Sequence, residues 1–423
     1  MNLLQPVEPG GETITTVSNG WRGVVGYSIL LALIFSTLTG LGPYRMVVGF
    51  GLIFVIYAVV TGQYVVRSMP RSHLLMYLAL ILLWLINQFY PAEIINHRAV
   101  KNILYALVVA ATINALPRFE SVSEQGRKKL IAAFVLVISA AVVGHSIVFF
   151  KEEAAAIAGR QIDRAFLFEG LFDNIHFLGL FCCFSLPVLL LGWVWFRSWS
   201  ARIVTVVMIG LDVVLLLASS SRPAWLTIAV VTAVGLSLIL PKKISWSVIP
   251  VFILAIWGLI KINLLGIGTR VLDFTNNVME EERITLWPDT VIALRDSSFQ
   301  EFLLGRGIGG YAYYSPSFTS DDELAFLVFP HNFFLEWLYE VGLLGFLMIS
   351  LGLGYVITRN LLSQATDIKL RHSQIILGLT LMAVLLHGFF VLPFFYSRQV
   401  LFLVTILVCL SFVFTDKITS RVG

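Results

Sequence analysis

The sequence predicts an all-α polytopic membrane protein with about twelve transmembrane helices. The chain is 58% hydrophobic and only 13% charged, whereas a soluble domain carries about 25% charged residues. Its apolar runs recur at the length of roughly 20 residues that a helix needs to cross a bilayer. Those runs, 131–150 for example, lack the period-2 alternation of a membrane β-barrel.

The expected spans lie near 24–41, 46–66, 74–90, 99–116, 130–150, 176–196, 202–219, 223–240, 247–267, 333–357, 373–393 and 398–415. Residues 1–20 are polar, hold Glu8 and Glu12, and lack the basic-then-apolar order of a cleavable signal peptide. The first span is therefore expected to stay as an anchor. Cys182, Cys183 and Cys409 fall inside apolar spans and imply no disulfide framework. No internal repeat, low-complexity tract or soluble linker interrupts the chain, so 1–423 reads as a single transmembrane domain. Between spans nine and ten, residues 268–330 are polar and charged, and form one large loop. Within it, 281–294 has helical spacing through Ile284, Trp287, Val291 and Leu294, with Pro288 as an obstacle. Gly305-Arg306-Gly307-Ile308-Gly309-Gly310 reads as a flexible turn, since no strand precedes it to make a nucleotide loop.

Orientation follows from charge. With a cytoplasmic N-terminus, alternation puts Arg67, Arg71, Arg118, Arg127, Lys128, Lys129, Arg197, Arg202, Lys242, Lys243, Arg359, Lys369, Arg371, Lys417 and Arg421 on the cytoplasmic side. The acids Glu152, Glu153, Asp163, Glu169, Asp173, Glu280, Glu281, Glu282, Asp321, Asp322 and Glu323 fall outside. That is the positive-inside pattern. Both termini are expected in the cytoplasm and the 268–330 loop outside, in the periplasm of a Gram-negative cell.

Against that acid-rich outer side, outer cations stand out. Arg222 lies between Ser219-Ser220-Ser221 and Pro223, in a turn too short to leave the membrane edge. It is either a lone arginine snorkelling to headgroups or part of a shaped site. Arg283 starts the 281–294 helix beside three glutamates, so local charge pairing is the plainer alternative. His331 sits between Pro330 and Asn332 where the next span begins. It is an interfacial cap residue or a base able to take a proton near neutral pH. Arg160 and Arg164, one helical turn apart in the shorter outer segment 151–175, would share a face or pair with Asp163 and Glu169. Arg306 is a further outer cation.

His73 and His372 are cytoplasmic, and His145, His176 and His387 suit packing roles. Asp212, a lone acid in a span, fits either a local pair or a proton path. The first outer loop, Gly42-Pro43-Tyr44-Arg45, holds no carboxylate, and no His/Cys set has zinc spacing. Outer chemistry is thus expected to use arginines and a base, with no metal and no cofactor.

Ser219-Ser220-Ser221-Arg222-Pro223-Ala224-Trp225, Arg283 with Trp287, Gly305-Arg306-Gly307-Ile308-Gly309, His331-Asn332-Phe333-Phe334-Leu335-Glu336 and Val341-Gly342-Leu343-Leu344-Gly345 occur in that order over about 125 residues. Together they resemble the signature stretch of the O-antigen ligase and polymerase superfamily; the N-terminal half is similar mainly in topology. Length and loop size are nearest the ligase branch.

The resemblance implies a GT-C-type fold. It implies transfer of O-antigen polysaccharide from undecaprenyl diphosphate to lipid A–core on the periplasmic face of the inner membrane, metal-independent and inverting. The positions matching its essential residues are Arg222, Arg283 and His331. Arginine suits diphosphate because its planar fork stays charged and binds two oxygens at once. Arg160, Arg164 and Arg306 are expected as further diphosphate contacts.

Three alternatives remain open. An O-antigen polymerase uses the same donor, but tends to spread arginines over two comparable loops. A protein-directed oligosaccharyltransferase usually carries a longer C-terminal outer domain. A transporter should show paired broken spans and mid-bilayer charges. Residues 305–329, with Tyr311, Tyr313, Tyr314 and Phe318, are expected to form a mobile cover over the site; the alternative is that these rings anchor the loop at the bilayer interface.

Overall fold

In hydrocarbon no water is available to the backbone, so an apolar run must close its own hydrogen bonds, and these runs do so as helices. A computed structural model describes residues 18–39, 44–60, 81, 85, 90, 91, 94, 97–115, 124–153, 168–172, 174–263, 266–276, 282–320, 327 and 329–413. The helices are α1 (Ser18–Thr39), α2 (Tyr44–Val60), α3 (His97–Ala115), α4 (Glu124–Glu152), α5 (Ile175–Trp195), α6 (Trp199–Ala218), α7 (Arg222–Ile239) and α8 (Lys242–Lys261). Four shorter ones follow: α9 (Ile267–Asn276), α10 (Glu282–Arg295), α11 (Phe299–Leu304) and α12 (Gly310–Phe318). The chain closes with α13 (Phe333–Leu361), α14 (Ile368–Val391) and α15 (Arg398–Val413).

Among the described residues there is no strand. Among the described residues, six helices are long and apolar enough to cross a membrane: α5, α6, α7, α13, α14 and the Arg127–Glu152 part of α4. A helix falls on every expected span except 74–90, most of which lies outside the described residues. The ninth is displaced: it runs Lys242–Lys261, not 247–267, starting directly after Pro241. α10 does continue through Pro288, giving up one i→i−4 bond in its second turn.

α14 is the hub. It packs against α5, α7, α13 and α15, and its Thr380, Leu381, Ala383, Val384 and His387 are fully buried. α5 is its main partner, carrying buried Cys182 and Cys183. α6 lies outside this pair and leaves Ile203, Val204, Val206 and Val207 exposed, an apolar face that suits lipid and not water.

Association between helices in lipid relies on close packing and interhelical hydrogen bonds, because the tails are as apolar as the side chains. The Trp195 indole donates to the Ser373 hydroxyl (2.9 Å) and the Asn360 amide to Ser411 (2.6 Å). Asp212, wholly buried on α6, accepts the hydroxyl of Ser185 on α5. Asp212 therefore has a local partner within the bundle.

Candidate functional site

The turn between α6 and α7 is built by its own serines. Ser219 donates its hydroxyl to Leu216 O (2.8 Å) and accepts the Ser221 N–H (3.3 Å). Ser220 takes a left-handed φ of 51°, a conformation uncommon outside glycine. The Trp225 indole closes the turn on Leu216 O (2.8 Å). Ser221, the N-cap of α7, instead sets its hydroxyl 3.4 Å from Nδ1 of His176. Arg222 is then the first residue of α7, half-buried, with Pro223 behind it. A cation at that position opposes the helix macrodipole, at roughly 0.3–1 kcal/mol.

His176 lies in the first turn of α5, where Asn174 caps the helix by accepting the His176 N–H (2.7 Å). The carbonyl of His176 receives Nε2–H of His387 (2.9 Å), so the last turn of α14 holds the first turn of α5. Both histidines read as packing residues in the sequence. The structure puts His176 against the turn that carries Arg222, and His387 behind His176.

His331 is fixed from both sides. The Trp287 indole donates to Pro330 O (3.0 Å), and Asn332 caps α13 by accepting the N–H groups of Phe334 (2.9 Å) and Leu335 (3.2 Å). His331 itself has a left-handed φ of 53°, and its ring lies 4.3 Å from that of Phe329. Such a backbone costs on the order of 1–3 kcal/mol and persists where neighbours over-determine it. Position 283 lies one turn before Trp287, in the first turn of α10.

These pieces meet at one place, the Val391 end of α14. His387 reaches the α6–α7 turn through His176. Gly388 lies under Phe333, where a Cβ would fall 1.9 Å from the ring. Phe389 meets Trp287 (centroids 6.0 Å apart) and Phe334 (5.4 Å). One helix end thus gathers the Arg222 turn, the helix of Arg283 and the His331 cap. The spatial link is physical contact through three consecutive residues of α14.

The glycine turn differs from its sequence reading. α13 breaks at Gly342, whose φ of 66° and ψ of −176° are not helical. The break withdraws N–H groups that would have bonded the carbonyls of Tyr339 and Glu340. Those carbonyls accept the N–H groups of Arg306 and Gly307 instead, each at 2.9 Å. Gly305 and Gly342 touch backbone to backbone: a Cβ on Gly305 would lie 2.3 Å from Glu340 O, and one on Gly342 2.3 Å from Gly305 N. Tyr90 adds a hydroxyl bond to Gly305 O (2.9 Å). The segment expected to be a flexible turn is a hydrogen-bonded seam, because the bend in α13 supplies the acceptors.

Arg306 faces inward. Its guanidinium donates to the Tyr339 hydroxyl (2.5 Å) and to Ser297 Oγ (3.0 Å). It pairs with Glu301 (3.4 Å) and lies over the rings of Tyr314 (5.4 Å) and Tyr339 (4.9 Å). Only 17% of the side chain is exposed. Tyr311 is buried against Tyr339 and Phe318, and burial pushes its phenol up to about 12. This part of the outer segment is tied down by aromatic packing.

Arg160 and Arg164 lie outside the described residues, as do 321–326 and 328 of the expected cover. The residues after Arg164 are placed: Phe168 N–H donates to Ala218 O (3.3 Å), and Leu171 N–H to Nδ1 of His145 (3.0 Å). The end of the shorter outer segment thus docks beside the serine turn. His145, fully buried, completes its bonds on Leu38 O (3.0 Å), a satisfied packing role. Among the described residues no three His, Cys, Asp or Glu side chains gather as metal ligands would.

Residues 207–350 match the family described as O-antigen ligase, a stretch that contains Arg222, Arg283 and His331. No curated protein matches the chain.

Proposed function

We propose, from the premise that this chain is a member of the O-antigen ligase and polymerase superfamily, that it is an O-antigen ligase. It transfers O-antigen polysaccharide from undecaprenyl diphosphate to a sugar hydroxyl of lipid A–core. In this reading it crosses the inner membrane about twelve times in a GT-C-type fold. Both termini are cytoplasmic, and the 268–330 loop and active site face the periplasm.

The observation that carries the reading is the meeting of the Arg222 turn, the Arg283 helix and the His331 cap at one end of α14. Arg222 and Arg283 both occupy first turns of helices, where the dipole resists cations and attracts anions. A diphosphate bound there satisfies both the helix ends and the arginines. As the bond between the anomeric carbon and the diphosphate oxygen breaks, charge grows on that oxygen, and the two guanidinium groups stabilise it. His331 accepts the proton of the attacking hydroxyl. The new glycosidic bond forms on the opposite face of the carbon, which inverts its configuration. No metal or cofactor enters these steps. Arg160 and Arg164 supply further diphosphate contacts from the shorter outer segment. The internal partners of Arg306 favour a role in holding the outer segment.

The test is in vitro. Purified protein is incubated with undecaprenyl diphosphate-linked O-antigen and lipid A–core, and polymer-decorated lipid A–core is resolved on a gel. Product formed by wild-type protein and lost in His331→Ala is expected. Longer polymer on the carrier lipid, with undecorated core, would identify a polymerase instead. Neither product, with substrate accumulating across a membrane, would favour a transporter.

A further inference from the structure

The first two turns of α13, between the Asn332 cap and the break at Gly342, carry two acids one helical turn apart, Glu336 and Glu340. Both are buried, at 0% and 1% exposure. Carboxylates withdrawn from water need several donors to be tolerated, and these have them. Glu336 spreads its two oxygens over consecutive backbone N–H groups, Phe394 (2.8 Å) and Phe395 (3.0 Å), in the connection between α14 and α15. Glu340 uses a single oxygen, Oε1, for both the Gly309 N–H (3.1 Å) and the Tyr396 hydroxyl (2.6 Å). One acid thus grips the α14–α15 connection, and the other ties that connection to the end of the glycine seam.

His331 stands one residue before the cap of this short helical piece. A free break at Gly342 would let the piece swing and carry His331 with it. The two acids fix it against elements on either side. We propose that Glu336 and Glu340 are positioning residues that hold His331 in register with the Arg222 and Arg283 sites. This rests on the transfer reading above for its catalytic consequence, though not for its geometry. Each acid makes two bonds, and breaking one leaves a buried polar group unpaired, and a displacement of about 1 Å in a reacting group can cost roughly a hundred-fold in rate.

The different use of oxygens gives an asymmetric test. In Glu340→Gln the amide oxygen still accepts from both Gly309 and Tyr396. In Glu336→Gln one of the two N–H groups must face an NH2. We expect Glu340→Gln to retain turnover within about three-fold, the scale of one weakened neutral bond. Glu336→Gln and Glu340→Ala should lose about ten-fold or more, with donor KM little changed because the arginine sites are untouched. Only protein eluting as a folded species on gel filtration is compared. A parallel readout needs no transfer: diethyl pyrocarbonate modification of His331, followed by peptide mass spectrometry. Its rate should change in Glu336→Gln and stay near wild type in Glu340→Gln.

Folded Glu336→Gln and Glu340→Ala proteins with wild-type turnover and wild-type His331 modification would overturn the proposal. So would equal losses in the two glutamine variants. A wild-type protein that transfers no polymer sinks the ligase reading alone, and the His331 modification rates then decide the positioning.

Discussion

Replacing Gly305 by alanine tests the seam between the outer segment and α13. Gly305 has φ 86° and ψ −174°, a region open essentially to glycine alone, so a side chain there costs roughly 1–3 kcal/mol in backbone strain. The added Cβ would also lie 2.3 Å from Glu340 O, a backbone atom that cannot rotate away. Forcing an extra carbon into such a contact adds about 1–3 kcal/mol. The expected destabilisation of Gly305→Ala is therefore about 2 kcal/mol at least and about 6 at most. Gly342→Ala should behave alike, since its φ of 66° and ψ of −176° lie in the same region and its Cβ would strike Gly305 N. Each substitution keeps its own backbone strain but opens the same contact, so the double variant should fall short of the sum of the two by about the contact cost. The coupling energy is then negative and of order 2 kcal/mol. Gly352, with nothing within 4 Å of its added Cβ, is the control and should shift stability by no more than about 1 kcal/mol. The assay is unfolding of purified protein in mixed micelles of rising dodecyl sulfate fraction, followed by tryptophan fluorescence. Gly305→Ala as stable as Gly352→Ala, or strict additivity of the Gly305 and Gly342 costs, would refute the seam.

Four further expectations concern chemistry and local stability. His331→Ala should lower transfer by about a hundred-fold or more, the usual worth of a general base, while insertion and gel-filtration profile stay normal; near-normal product removes it as the base. Arg222→Lys and Arg283→Lys should each lose about ten-fold or more, because an ammonium cannot reproduce a two-pronged contact, and wild-type rates in both would reduce the arginines to diffuse charge. Turnover should persist in excess chelator, and complete loss restored by magnesium or manganese would sink the metal-free mechanism. The α11 capping box titrates: burial pushes the Glu301 carboxyl up, but bonds from the Ser298 backbone and hydroxyl and the charge of Arg306 outweigh it and hold the group below its ordinary range. A depressed folded pKa stabilises fully above the unfolded value of about 4.3 and is lost as pH falls through the folded value. Hydrogen-exchange protection of 299–304 should therefore drop below about pH 4 in wild type, and a Glu301→Gln protein showing the same drop would assign it elsewhere.

What the sequence discloses depends on how local each signal is. A span is a contiguous apolar run, so ten helices fall close to their expected places and α8 starts only a few residues early. Arg222 and His331 stand out because each is a polar residue at the edge of such a run, and Arg283 because it is a cation on an otherwise acid-rich outer side. The role of His176 is invisible to that logic, since Ser221 lies 45 residues away. The glycine turn hides its partners for the same reason. A run of glycines looks mobile until the acceptors of its N–H groups are known, and those sit on Tyr339 and Glu340, in the next long helix. Arg306 carries the charge of a phosphate ligand, yet its partners Tyr339, Ser297 and Glu301 come from three separate elements.

The seam also bears on how this protein can be recombined. The carbonyls of Tyr339 and Glu340 are available only because α13 breaks at Gly342, and the N–H groups that take them come from Arg306 and Gly307. Donor and acceptor sides are thus two halves of one fitting, separated in the chain by residues 308–338. A chimera that swaps the outer segment up to residue 304, or from 343 onward, leaves both halves from one parent. A crossover placed between them joins a turn to a bend that was shaped for another chain. The choice of junction then decides whether the hybrid folds.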